Sequence, residues 1–190
     1  MIFKKVVFFN GPPRCGKDTV VKRLLKLNIY NSQEIKFSSP LKESLPIFFG
    51  LSAEEVNNLE MNKEVSSDLL LGKSWREAQI SLSETWAKPI FGKDVFGKIA
   101  LNKIYSGKKD ISFISDSGFL SEAETVINSL GQENCLLVRM YRIGCDFSKD
   151  SRSYWSHDYK QLKEIHIHND STIEKLVNNT ITEIDKWLGI

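Results

Sequence analysis

The chain has 190 residues, enough for one ordinary domain with a substantial core. Its 26 basic and 24 acidic residues leave a net charge of +2, which gives no global reason to expect a nucleic-acid partner. Three cysteines without CxxC spacing, and no apolar run of membrane length, predict a reduced cytoplasmic protein with no membrane partner.

The first part of the chain alternates between predicted strands and predicted helices. The apolar run at 4–10 predicts a buried strand, and apolar residues at helical spacing predict a helix over 17–27. A weaker strand is predicted at 34–38. Pro40 suits the first turn of the following helix, which Pro46 should kink or shorten.

The middle of the chain is predicted to be helical. Ser52 and Glu55 have the spacing of a capping box, which predicts a helix start. Two helices are predicted over 75–105. The proline and glycine within 88–94 should separate them.

The last part of the chain returns to strand and helix alternation. Strands are predicted at 110–116, 135–141 and 164–169, and the polar segment 142–160 is predicted to be a mobile loop with few residues suited to a core. The pairs Ser121–Glu124 and Ser171–Glu174 predict two further helix starts. We therefore expect a single domain over 1–190, a three-layer α/β fold with a five-stranded, mostly parallel sheet flanked by helices.

A glycine-rich segment, NGPPRCGKDT, joins the first strand to the first helix. It nearly matches GxxxxGK[ST], whose backbone N–H groups surround phosphate oxygens and whose lysine reaches the outer phosphates. The position after a strand and before an amphipathic helix favours a working loop over an ordinary turn. The predicted phosphate-binding residues are Gly11, Pro12, Pro13, Arg14, Cys15, Gly16, Lys17, Asp18 and Thr19.

Two acidic residues are candidate Mg²⁺ ligands. Asp18 replaces the usual hydroxyl and could hold the metal directly or through water, or could merely complement the helix N-terminus. Thr19 would then be free to bond an inner phosphate. Asp116 ends a predicted strand at the ligand-binding edge of the sheet, and it could hold the metal through water, accept a hydrogen bond from substrate or cap a helix.

Several segments together resemble the bacteriophage deoxynucleoside-monophosphate kinases. They are RCGKDT, SSPLKESLPIFFGLS, WREAQISLSETWAKPIFGKDVFGKIA, ISDSGFLSEAETV and HIHNDSTIEKL. The resemblance implies a P-loop kinase fold with an acceptor-binding helical region at about 38–105 and a short lid at about 142–160. It implies ATP, Mg²⁺ and a nucleoside monophosphate as partners, a homodimer as one possible assembly, and the host cytoplasm if the source is viral.

The sequence departs from that family at three positions. Leu82-Ser83 replaces Gly-Thr, Phe96 replaces a tryptophan, and Gly118 replaces an arginine. The first two put base selectivity in question. The third removes a positive charge near the phosphates, so other basic residues must supply it.

The resemblance also assigns roles residue by residue. Lys17 should neutralise the transferring phosphoryl group, together with lid arginines, of which Arg142 is the first candidate and Arg139 and Arg152 follow. Asn169 should lie near the ATP base. The acceptor-binding residues are expected to be Arg14, Leu41, Lys42, Lys63, Arg76, Gln79, Ser83, Phe96 and Asp116. The alternatives are solvated charges for the basic residues and core packing for Phe96.

Other functions stay open at the level of sequence. The chain could phosphorylate another small acceptor, such as dephospho-coenzyme A or phosphomevalonate, or act as a nucleotide-dependent switch or ATPase. A guanine-specific Asn-Lys-x-Asp segment is absent, which weakens a GTPase switch. His157, His166 and His168 make a weak zinc pattern, because the third ligand would have to come from a loop.

Overall fold

The computed structural model describes residues 4–148 and 150–190. Its strands are β1 Lys5–Asn10, β2 Ser32–Ile35, β3 Ser66–Ser67, β4 Lys73–Ser74, β5 Ile111–Ile114, β6 Cys135–Tyr141 and β7 Lys163–His168. Its α-helices are α1 Lys17–Leu27, α2 Ser39–Phe49, α3 Ala53–Met61, α4 Trp75–Ser81, α5 Lys88–Phe91, α6 Val95–Ser106, α7 Leu120–Leu130 and α8 Ile173–Leu188. A π-helix, Leu82–Ala87, joins α4 to α5, and 3₁₀ turns occupy Asp68–Leu70 and Gln132–Asn134.

The chain divides into two compact units. One contains the residues up to Phe37 and those from Gly97 onward, and the other is Ser38–Phe96. The second unit is shorter than the helical region expected at 38–105, because most of α6 belongs to the first unit. Within the described residues, no helix combines the length and the apolarity that crossing a bilayer requires.

The first unit is built on a five-stranded parallel sheet with the order β2-β5-β1-β6-β7. Strand β1 lies in the middle of the sheet, and its side chains from Val6 onward are buried. Its continuous apolar sequence suits this position, because helices cover both faces of such a strand. The next strand in sequence, β2, lies at one edge of the sheet, and β6 lies on the opposite side of β1. The chain after β1 therefore emerges at a switch point of the strand order, where open α/β sheets bind ligands.

Helices cover the sheet and complete its core. On one face, Phe9 and Val7 pack with Val20 of α1 and Leu176 of α8 in one apolar cluster. Burying such side chains contributes roughly 1.5–3 kcal/mol each. Helix α6 lies against α7 so closely that a Cβ on Gly97 would be 3.0 Å from the Glu122 carbonyl carbon. The expected α/β fold, with a five-stranded parallel sheet flanked by helices, is thus confirmed.

The second unit is helical, with a small hairpin formed by β3 and β4. Its core contains Leu45, Leu59, Leu70 and Trp75. The capping box of Ser52 with Glu55 is present as predicted. A second box, Ser74 with Glu77, starts α4 and was not predicted, although Ser-x-x-Glu is legible in the sequence.

The structure departs in part from two predictions near the start of this unit. The strand expected at 34–38 ends at Ile35, because the Phe37 N–H donates to the Asp116 carboxylate at 2.9 Å instead of joining a neighbouring strand. Pro46 does not shorten α2, which continues to Phe49 and ends at Gly50 with a φ of 65°. A proline removes one helical hydrogen bond, and this helix accommodates that loss.

Three predicted helix boundaries also change. Pro89 does not separate the helices, since it lies in the first turn of α5, where its missing N–H costs little; the break comes at Gly92. Ser121 does not cap α7, which already begins at Leu120 without a side-chain cap. The cap of α8 is Thr172, one residue after Ser171, and its hydroxyl accepts from the Lys175 N–H at 3.3 Å.

Candidate active site

The glycine-rich loop follows β1 and opens α1, and its glycines permit close backbone approach. A Cβ on Gly11 would lie 2.6 Å from the Met140 carbonyl oxygen and 2.8 Å from the Cys15 sulfur. Gly16 has a φ of 110°, which a residue with a side chain rarely adopts, and it caps α1 without a side-chain hydrogen bond. Gly16 has no side-chain oxygen to offer the first N–H groups of α1, and such N–H groups at a helix start bind phosphate oxygens.

Lys17 is folded back into this loop. Its Nζ donates to the Gly11 and Pro12 carbonyls at 2.6 and 2.7 Å and lies 3.5 Å from the Cys15 sulfur, and the residue is 8% exposed. Burial is the main reason that the pKa of Lys17 is lowered. The ammonium thus satisfies loop carbonyls internally, and it must leave them to reach a phosphate.

Two arginines meet beside the loop. Arg14 has a φ of 65°, an uncommon backbone conformation for a residue with a side chain, and such strain is frequent at ligand sites. Its carbonyl accepts a hydrogen bond from Nη1 of Arg142 at 3.1 Å. A cavity of about 260 Å³ lies here, lined by Arg14, Gly16, Lys17, Asp18, Thr19, Arg142, Asn169, Ser171, Ile173 and Leu176. Three cations and a helix N-terminus at one cavity make it suited to a polyanion.

Asp18 has a basic partner that the sequence analysis missed. Lys36 donates to its Oδ1 at 2.6 Å and also lies 3.3 Å from Oε1 of Glu34. Burial opposes ionisation of Asp18, but the hydrogen bond and charge of Lys36 prevail, so the pKa of Asp18 is lowered. Asp18 is consequently an ionised carboxylate, as a Mg²⁺ ligand must be.

Asp116 accepts the Phe37 N–H through its carboxylate and lies just beyond β5. Both Asp116 and Asp18 raise the pKa of Arg152 through their charges, after the larger effects of its hydrogen bond to Asp150 and of burial. The two predicted metal-binding carboxylates thus interact with the same guanidinium. Two hard oxygen donors fit Mg²⁺, which keeps several waters when protein-bound.

Two asparagines make hydrogen bonds around the loop: Asn10 just before it and Asn169 beside it. Asn10 is 1% exposed, and its amide donates to the carbonyls of Ser117 and Ser153 at 2.9 and 3.1 Å. Asn169 donates to the Cys15 carbonyl at 3.0 Å, so it contacts the loop itself in addition to lining the cavity. Asn10 was not among the predicted site residues, although an asparagine at the end of an apolar strand was visible in the sequence.

The segment expected to be a lid has two different parts. Residues 142–148 are mostly exposed, with Ile143 at 95%, whereas Trp155 is 4% exposed and packs edge-on against Phe8 at 5.3 Å. The segment, expected to hold few core residues, thus contributes Trp155 to the core. Lys149, in the middle of the segment, lies outside the described residues.

Arg139 is held away from the cavity by other contacts. Its guanidinium donates to Glu164 at 2.6 and 3.1 Å and to the Trp155 carbonyl at 2.6 Å. Partial burial acts against the ionised form of Glu164, but Arg139 outweighs it and the pKa of Glu164 is lowered. A bidentate pair of this kind joins β6 to β7, so Arg139 has a structural contact beside the catalytic role that the resemblance implies.

Histidines surround the same glutamate without forming a metal centre. His157 and His166 each lie 3.2 Å from Glu164, and the Tyr141 ring stacks on both His166 and His168. The rings of His166 and His168 thus lie on the same face of β7. Throughout 4–148 and 150–190, no group of three or more His, Cys, Asp and Glu side chains could hold a metal ion.

The second unit gathers the three basic residues expected at the acceptor site. Lys42 donates to Glu60 at 2.6 Å, and the Arg76 side chain donates to Glu64 at 2.7 Å. The Arg76 backbone N–H donates to the Lys63 carbonyl at 3.0 Å. Burial opposes ionisation of Glu60, but Lys42 and Lys63 lower its pKa. Lys42 and Arg76 are therefore paired with carboxylates.

The uncharged candidates in this unit are largely buried. Leu41, Ser83 and Phe96 are buried, and the Ser83 hydroxyl donates to Glu84 at 3.0 Å. The Gln79 amide donates to the Trp75 carbonyl one helical turn earlier, at 3.2 Å. Burial of Phe96 agrees with the alternative of core packing.

The sheet, the loop at its switch point and the basic cavity together make an α/β fold compatible with a P-loop kinase. No protein-family profile matches the chain, and no curated protein matches it. Among solved structures, the chain is similar to an unliganded sugar kinase from Janibacter sp. HTCC2649, at 10% identity and a TM-score of 0.45. That similarity covers 96% of this chain and 95% of the other.

Proposed function

We propose that the chain is a phosphotransferase that moves the γ-phosphoryl group of ATP to a deoxynucleoside 5′-monophosphate. The observation that carries the proposal is the loop of Gly11 to Lys17 at the switch point of the sheet, beside a cavity lined by Arg14 and Arg142. The nucleoside-monophosphate acceptor is supported by the sequence resemblance.

The reaction breaks the bond between the γ-phosphorus and the β,γ-bridging oxygen, and forms one between that phosphorus and an acceptor phosphate oxygen. Charge spreads over the equatorial oxygens as the group is transferred. Lys17, after leaving the Gly11 and Pro12 carbonyls, would neutralise it from the loop side. Arg142 and Arg152 would neutralise it from the segment that follows β6.

Asp18 and Asp116 would hold Mg²⁺, which supplies charge neutralisation for the phosphate oxygens. Lys36 keeps Asp18 ionised and would orient it. Asn169 would keep the loop in register through its bond to the Cys15 carbonyl.

Lys42, Lys63 and Arg76 would bind the acceptor phosphate, with Arg76 able to do so bidentately. Their carboxylate partners, Glu60 and Glu64, would compete with that phosphate. Acceptor binding on this proposal includes the exchange of a carboxylate for a phosphate.

The test is ADP formation by the purified chain with ATP and Mg²⁺, against a panel of ribo- and deoxyribonucleoside monophosphates. Dephospho-coenzyme A and phosphomevalonate serve as competing acceptors. We expect rapid ADP formation with deoxynucleoside monophosphates. Transfer confined to the coenzyme precursors would reassign the acceptor, and ADP formation at the same rate without any acceptor would indicate an ATPase.

A further inference from the structure

The side chain of Arg152 occupies the space that a side chain on Gly118 would need. A Cβ on Gly118 would lie 2.6 Å from Cγ and 3.1 Å from Cβ of Arg152, and closer still to Cδ. The φ of Gly118 is not positive, so its backbone conformation does not demand glycine. The absence of a side chain at position 118 therefore serves to admit the arginine.

The backbone beside Arg152 is fixed to the strand that leads into the phosphate loop. The Asn10 amide donates to the Ser153 carbonyl at 3.1 Å, and the Trp155 N–H donates to Asn10 Oδ1 at 3.3 Å. The same amide donates to the Ser117 carbonyl, next to Gly118. One buried asparagine thus joins the end of β1, the turn after β5 and the segment that carries Arg152.

The guanidinium itself is oriented by Asp150. Arg152 Nε donates to Asp150 Oδ1 at 2.7 Å, Nη2 donates to Oδ2, and the Arg152 N–H donates to Oδ1 at 3.0 Å. Asn10 directly precedes Gly11, so its hydrogen bond to the Ser153 carbonyl ties the residue next to Arg152 to the start of the phosphate loop.

The geometry points to Gly118 and Asn10 as positioning residues that seat Arg152 at the phosphoryl-transfer site before any nucleotide binds. This inference rests on the proposed function. It separates the predicted lid into a part at 142–148, which is mostly exposed, and a part at 150–157, which stays docked. A cation oriented in advance costs no reorganisation when charge develops, so Arg152 would act mainly on turnover.

Gly118→Ala is the direct test. The added Cβ meets a flexible arginine side chain and no backbone atom within the closest contacts, so Arg152 should swing away while the fold is kept. We expect kcat to fall by roughly 10²–10³-fold, the range for removing one preorganised charge-stabilising donor, with the KM for ATP nearly unchanged. Arg152→Ala should give the same loss.

The double variant distinguishes positioning from a general structural effect. Gly118→Ala added to Arg152→Ala should cause no further loss of kcat, because there is no arginine side chain left for the new methyl group to displace. Gly107→Ala is the control: its Cβ would lie 2.8 Å from the Gln33 amide and 3.0 Å from the Lys103 carbonyl, its φ is not positive, and it should keep wild-type turnover because it is remote from Arg152 in the sequence and contacts no predicted site residue. Multiplying losses in the double variant, or full activity of Gly118→Ala, would overturn the inference.

A crystal structure of Gly118→Ala provides a readout that does not depend on activity. If Arg152 moves away from Asp150 and the backbone is unchanged, the positioning role of Gly118 is supported. If the backbone shifts and Arg152 stays in place, that role is overturned. A wild-type chain that transfers phosphoryl to no monophosphate would instead contradict the proposed function. If Lys17→Ala loses turnover while Gly118→Ala keeps it, the proposed function stands and the positioning role of Gly118 is refuted.

Discussion

Replacing Lys17 with methionine should destabilise the ligand-free protein as well as abolish transfer. The ammonium donates to two loop carbonyls, at 2.6 and 2.7 Å, and is nearly buried. Methionine has a similar length and preserves most of the packing, but it cannot donate. The Gly11 and Pro12 carbonyls would then lose their donor.

The size of the effect follows from these contacts. Burial lowers the pKa of Lys17, so the charge itself is disfavoured by folding and the loss in Lys17→Met comes from the two buried carbonyls left without their donor. Leaving a buried acceptor unsatisfied costs about 1–3 kcal/mol. We expect a net loss of about 1–3 kcal/mol in the free energy of unfolding. For a chain of this size, that loss lowers Tm by about 2–12 °C.

Thermal and urea unfolding of Lys17→Met, compared with Lys22→Met on the exposed side of α1, would measure this loss. The control removes a lysine from the same helix without touching the loop. Equal stability of the two variants would refute the reasoning, because the Lys17 ammonium would then contribute nothing to the ligand-free loop.

Two further predictions concern ion pairs away from the loop. Glu60→Gln should free Lys42 from a partly exposed ion pair worth about 0.2–1 kcal/mol. The KM for the acceptor, measured by steady-state kinetics, should therefore fall by up to about five-fold. A raised KM would contradict the idea that Glu60 competes with the acceptor phosphate for Lys42. Glu164→Gln should cost stability that shrinks as the pH falls from about 5 to 3, measured by urea unfolding. A carboxyl whose pKa is lowered on folding stabilises the fold above its unfolded pKa and loses that effect as it is protonated, so a pH-independent difference would contradict the role of the Arg139 pair.

The parts of the fold that depend on local pattern could be predicted from the sequence. The apolar run of β1, the glycine-rich loop and the amphipathic face of α1 lie next to one another in the chain, and each has a period or a residue type that identifies it. The capping box of Ser52 was legible for the same reason. Failures such as the cap at Ser121 arose where the chain enters a helix without a side-chain cap.

The parts of the site that depend on distant contacts could not be predicted. Lys36 donates to Asp18, which lies 18 positions earlier in the sequence. Arg152 fills the space beside Gly118, which lies 34 positions earlier (152 − 118). The sequence showed that Gly118 replaces an arginine of the family it resembles. It did not show which side chain fills the space beside Gly118, because Arg152 lies in a segment with no periodic pattern. Only the folded arrangement of β1, β5 and the segment after β6 brings them together.

The most direct test of phosphoryl transfer is the stoichiometry of its products. Purified wild type and Lys17→Ala would each be incubated with ATP, Mg²⁺ and one deoxynucleoside monophosphate at a time, and all nucleotides would be quantified by chromatography. We predict that wild type forms one deoxynucleoside diphosphate for each ADP, and that Lys17→Ala forms neither at a comparable rate while remaining folded. ADP without a matching diphosphate, or equal transfer by a folded Lys17→Ala, would contradict the account.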